Sequence, residues 1–85
     1  MALQDYEYCL KIDSSYVAAY NSIGFIYETV FKDYETALKF YKLGTIYDED
    51  YNVIRCYRNI GDILLEQGKL NESLENYNKA IDIDP

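Results

Sequence analysis

Residues 20–27 read YNSIGFIY and residues 57–64 read YRNIGDIL. Each stretch sets a tyrosine just ahead of an Ile-Gly pair and a large apolar residue three places beyond the glycine. Self-similarity at a fixed period marks a repeat architecture, and the correspondence extends well beyond these eight positions. Leu38 falls on Leu74, Tyr41 on Tyr77 and Asp48 on Asp84, at an offset of 36 instead of the 37 separating Tyr20 from Tyr57. The slip of one residue lies between Tyr27 and Ala37, where the first copy is longer than the Leu64 to Ser73 interval of the second. A partial copy precedes both. Ala2-Leu3, Tyr6, Cys9-Leu10 and Ile12-Asp13 match Ala37-Leu38, Tyr41, Gly44-Thr45 and Tyr47-Asp48.

The members of each set recur at helical spacing and not at period two. The pattern predicts five helices, over 2–13, 16–30, 34–47, 53–66 and 70–83. Ser14-Ser15 and Asp33 are expected as N-caps, offering side-chain oxygens to unpaired backbone N–H groups. Gly68 is expected to end the fourth helix, because glycine tolerates positive φ. The matching corner of the first copy, Val30-Phe31-Lys32, has no glycine and one more residue, which predicts a differently shaped turn. Glu7–Lys11, Glu35–Lys39 and Glu75–Lys79 stand four apart in the favourable order and read as solvated helix faces.

Composition narrows the function. With 49% apolar residues in 85, the chain can bury a core, and its single proline is the last residue. No run is long and apolar enough to span a bilayer, and the first residues lack the basic end and apolar stretch of a signal peptide. A net charge of −7 argues against nucleic acid, whose phosphates demand clustered Lys and Arg, and against an anionic membrane surface. Cys9 and Cys56, the only cysteines, read as reduced thiols in an intracellular, cytoplasmic compartment. With no histidine, the commonest general base and metal ligand is missing, and no Ser-His-Asp or Cys-His system can be assembled. Asp48 to Asn52 opens like a calcium loop, but Val53 and Asn59 occupy the positions where glycine and glutamate are needed. No catalytic residue, metal ligand or cofactor is expected.

The repeat resembles the tetratricopeptide repeat, a 34-residue helix–turn–helix unit. The large aromatic, the apolar-Gly pair and the following large residue are Tyr20, Ile23-Gly24 and Tyr27, then Tyr57, Ile60-Gly61 and Leu64. The second helix supplies Ala37, Tyr41, Gly44 and Asp48-Glu49, then Ser73, Tyr77, Ala80 and Asp84-Pro85. Departures are Tyr for the usual tryptophan, Ser73 for alanine, Glu49 for proline and about three inserted residues between units. The resemblance covers essentially the whole chain. It implies an all-α antiparallel helix-pair solenoid with a right-handed superhelix, one domain over 1–85. Within it, 1–14 would be the second helix of a partial repeat, 17–51 a repeat, and 54–85 a repeat lacking its last residues. Small Gly24, Gly61, Ala37, Ser73, Gly44 and Ala80 would let backbones approach, beside large Tyr20, Tyr57, Tyr41 and Tyr77. Tyrosine suits such a thin stack because its ring is buried while its hydroxyl reaches water.

Solenoids of this kind place function on the concave surface made by stacking units. Groove positions implied by the resemblance include Asn21, Ser22, Phe25 and Glu28 on one helix and Arg55, Arg58, Asn59 and Asp62 on another. Arg55 and Arg58 suggest a guanidinium pair for a carboxylate of a protein or peptide partner. A chaperone-tail clamp would need Lys and Asn where this chain has Asn21 and Phe25. The expected role is a protein-interaction scaffold that binds a peptide segment in this groove. The alternative is a structural assembly fragment of a longer array, self-associating through uncapped terminal helices. RNA binding is disfavoured by the charge.

Overall fold

The computed structural model describes residues 2–13, 16–47 and 51–84. The capping expected of Ser14 and Ser15, and the acidic corner at 48–50, lie outside the described residues. Five helices run in order: α1 (Ala2–Ile12), α2 (Val17–Thr29), α3 (Tyr34–Gly44), α4 (Tyr51–Glu66) and α5 (Leu70–Ile83). No strand occurs among the described residues. Two boundaries differ from expectation by more than one residue. Helix α3 stops at Gly44 and not at residue 47, because the N–H and Oγ1 of Thr45 both turn back to the Lys42 carbonyl, at 3.1 and 2.7 Å. That tightens the last turn and ends it. Helix α4 starts at Tyr51, two residues early.

Each helix owes its place to its apolar stripe. On α4 the buried residues are Val53, Cys56, Ile60, Ile63 and Leu64, with Gly61 among them, so one face is dry while Arg55, Arg58, Asp62 and Glu66 face out. Helix α2 instead buries residues almost all round, Val17, Ala19, Tyr20, Asn21, Ile23 and Gly24. The cause is position, since α2 packs against α1, α3 and α4. Helices α3 and α4 also pack on each other, and α5 covers α4. The molecule measures 34 × 27 × 14 Å. Its short dimension is that of two helix layers, axes about 9 Å apart plus the width of one backbone cylinder.

Small-against-large contact holds the layers together. An added Cβ at Gly24 would stand 2.6 Å from Tyr41 Cε1, and one at Gly61 would stand 2.8 Å from Tyr77 Cε1. Ala37, Tyr41, Cys56 and Ser73 are all buried, and the Ser73 hydroxyl donates to the Gly61 carbonyl at 2.8 Å. Four tyrosine hydroxyls find protein partners. Tyr41 donates to Glu28 Oε1 at 2.8 Å, Tyr77 donates to Asp62 Oδ1, and the Tyr20 and Tyr47 hydroxyls meet at 3.3 Å. A two-layer stack this thin brings the far end of each ring against the neighbouring helix, where a side-chain acceptor replaces water.

The two corners differ as expected in length but not in handedness. After α4, Gly68 takes φ 79, Lys69 N–H reaches Leu64 O at 2.9 Å and Gly68 N–H reaches Leu65 O at 3.1 Å. This is the paired closure of a Schellman motif. After α2, Lys32 takes φ 56 in the corresponding place, and Asp33 N–H reaches Tyr27 O at 2.8 Å across one more residue. The one-residue slip in the repeat is absorbed there. Asp33 then caps α3, accepting from Thr36 N–H at 3.2 Å and from Thr36 Oγ1 at 2.6 Å.

Candidate functional site

Helices α1, α2 and α4 border a pocket of about 270 Å³ lined by Tyr6, Asn21, Ser22, Phe25, Ile26 and Arg55. Four of the eight residues expected in the groove therefore converge: Asn21, Ser22, Phe25 and Arg55. Phe25 is 55% exposed, a large apolar side chain held open on the rim. It reaches solvent because the turn of α2 that carries it points away from α3, whose Tyr41 occupies the other side at Gly24. Arg55 is exposed and lies over the Tyr51 ring with its guanidinium carbon 5.9 Å from the centroid. Such stacking orients a cation without removing its charge.

Asn21 and the other four candidates are placed differently from expectation. Asn21 is only 4% exposed, because α4 packs directly on α2, so it forms the floor of the pocket and not its rim. It accepts from Asn59 Nδ2 at 2.7 Å and from the Cys56 thiol at 3.8 Å, which satisfies the burial of its carbonyl. Glu28 accepts the Tyr41 hydroxyl and Asp62 accepts the Tyr77 hydroxyl. Arg58 lines a separate pocket with Tyr51, Ile54, Tyr77 and Ala80. The suggested pairing of Arg55 with Arg58 thus divides between two pockets. Three residues leave the two side chains about 60° apart round α4, and each lines a pocket with different neighbours.

Tyr6 and Ile26 line the pocket without having been anticipated. Tyr6 matches Tyr41 and Tyr77 in the repeat, which reads as a core position. It is half-buried because the helix that would cover its other side has no counterpart among the described residues.

Burial and hydrogen bonding shift several hydroxyls. Burial, then the Tyr47 hydroxyl, pushes Tyr20 up from 10.0 to about 12, and the two rings stack at 5.7 Å between centroids. Burial, then the bond to Glu28, raises Tyr41 still further. The bond to Asp62, then burial, raises Tyr77. These groups stay protonated near neutral pH, and Tyr41 and Tyr77 act as fixed donors. Cys9 is half-buried and Cys56 buried, both outside any disulfide. Among the described residues no helix is long and apolar enough to cross a membrane.

No curated protein matches the chain. A family model described as TPR repeat matches residues 61–85, which take in the last turns of α4 and all of α5. With five helices, no strand among the described residues and that match, the chain is an all-α protein that fits a TPR helical-repeat solenoid.

Proposed function

We propose that the chain is a protein-interaction module whose pocket between α1, α2 and α4 takes a short segment of a partner, an apolar side chain flanked by a carboxylate. TPR repeats generally mediate protein–protein interaction and are typically non-catalytic. The observation that carries the finer reading is the meeting of Phe25, Tyr6 and Arg55 from three helices around one opening. The two rings and Ile26 offer apolar contact, and Arg55 offers a forked donor for an oxyanion. Ser22 beside them supplies a hydroxyl for the partner's backbone. Exposed aromatic and arginine side chains gathered at one place are the residues that most often carry interface energy. The pairs α2–α3 and α4–α5 act on this reading as two units of one scaffold domain, with α1 completing the pocket wall. The two thiols, outside any disulfide, support an intracellular setting.

Fluorescence anisotropy with peptides bearing Asp or Glu beside Leu or Phe tests the reading. Phe25→Ala is expected to weaken binding about tenfold, and Arg55→Glu by at least as much. Raising salt should weaken binding by the wild-type chain more than by the Arg55→Glu variant. Equal affinity of wild type and both variants for every such peptide would refute it.

A further inference from the structure

Tyr51 links the two pockets that Arg55 and Arg58 line. It shares one pocket with Arg58, and its ring lies under Arg55, with 5.9 Å between ring centroid and guanidinium carbon. Arg55 in turn lines the Phe25 pocket. Along α4, residues 55 and 58 fall about 40° to one side of Tyr51 and about 20° to the other. An anion attached to the Tyr51 hydroxyl therefore enters the field of two arginines. Tyr51 is 66% exposed, against 64% for Tyr8 and 48% for Tyr16, and neither of those has an arginine on its own helix. Tyr8 also lies well inside α1, whereas Tyr51 is the first residue of α4. An enzyme that takes its substrate extended need open only that first turn, releasing Val53 as its buried residue. Asp48-Glu49-Asp50 directly precede Tyr51, three carboxylates in a row that complement a basic substrate groove.

We propose that Tyr51 is a phosphorylation site and that its phosphate, held by Arg55, closes the Phe25 pocket to an acidic partner. A tyrosine kinase supplies the step: the Tyr51 Oη bonds to the γ-phosphorus of ATP, the bond to the ADP oxygen breaks, and the phenolic proton passes to the kinase's base. The product carries a charge of about −1.5 to −2 near neutral pH, on oxygens that match the guanidinium fork. Arg55 then pairs within its own helix. The pocket loses its donor for a partner's carboxylate and gains a like charge beside it. On the other flank Asp84 lines the pocket with Arg58 and offsets its charge, so Arg55 is the principal holder. The closing of the pocket rests on the function proposed above; the pairing of phosphate with Arg55 stands on the α4 geometry alone.

Phosphotyrosine is built in at position 51 by joining synthetic residues 1–55 and 56–85 through the Cys56 thiol, which gives the full chain without a kinase. Anisotropy with the Asp- and Glu-bearing peptides should then show binding weaker by about tenfold or more than to the unmodified chain. Phosphorus NMR should show the phosphate ionising at lower pH in this chain than in one that also carries Arg55→Gln. Treated with ATP and a tyrosine kinase selective for acidic substrates, the full chain should take its first phosphate at Tyr51, mapped by mass spectrometry. Equal peptide affinity of both forms would overturn the closing. A phosphate that titrates alike with and without Arg55 would overturn the pairing, and first modification at Tyr8 or Tyr16 would overturn the site. Failure of the unmodified chain to bind any such peptide would instead refute the pocket itself, and with it the closing, while the phosphorus titration still decides the pairing.

Discussion

The units α2–α3 and α4–α5 are written in nearly the same local code and end in different physical states. In both, a glycine on the first helix receives the ring of a tyrosine on the second. In the first unit that ring is roofed by α4 and shut off from solvent; in the second it borders an open pocket. The corners reverse the advantage. The first unit forces Lys32 into the left-handed region, while the second has Gly68 there, with nothing within 4 Å of the position a Cβ would take. Similar sequence logic therefore gives a unit with a buried tyrosine and a strained turn and a unit with a more open tyrosine and a relaxed one. Motif positions specify which contacts form, and neighbours decide how much each is worth.

Three measurements would break or sharpen that contrast. The largest effect is expected at the paired glycines. Gly24→Ala should cost about 2–3 kcal/mol, because the Tyr41 ring has nowhere to move, and Gly61→Ala only about 1 kcal/mol, because Tyr77 can swing toward its pocket. Urea unfolding of both variants reads the difference, and equal losses would show that the roof over Tyr41 is unimportant. Next come the corners. Lys32→Gly should stabilise by about 0.5–1 kcal/mol by relieving a left-handed side chain, and Gly68→Ala should destabilise by about 1 kcal/mol for the converse reason. If Lys32→Gly destabilises in thermal melts, contacts of the lysine outweigh backbone strain.

The smallest effect is alkaline. Tyr20 holds its proton to about 12 in the folded chain, above the ordinary tyrosine value of 10.0, and Tyr41 is shifted in the same direction. Their contribution is complete below pH 10 and is lost as the pH climbs through the folded value, since only the unfolded chain releases these protons readily. Stability should fall between pH 10 and about 12, and Tyr20→Phe should flatten that decline. An unchanged slope in the variant would remove Tyr20 as a cause.

Much of the fold was legible because helical repeats are local. Small and large residues recur at fixed positions, and each pair of helices needs only its own stretch of chain to find its register. The extra residue between Tyr27 and Ala37 could be counted, and the structure absorbs it between Tyr27 and Asp33. The handedness of that corner could not be read, because Lys32 carries none of the usual signals for positive φ. The site was legible in half. Phe25 and Arg55 follow from the exposed stripes of α2 and α4, but the floor at Asn21 depends on α4 settling onto α2. Tyr6 was concealed by its resemblance to core tyrosines.

Composition and spacing by themselves determined that this chain is helical, paired and repetitive, because helix periodicity and the fit of glycine against a ring are properties of a dozen neighbouring residues. Only the tertiary structure decided that Asn21 is sealed while Phe25 is open, that Arg55 and Arg58 serve different pockets, and that Glu28 and Asp62 hold tyrosine hydroxyls. Those outcomes depend on which helix lies across which, a relation between residues 13 to 38 positions apart whose side chains carry no local mark of it.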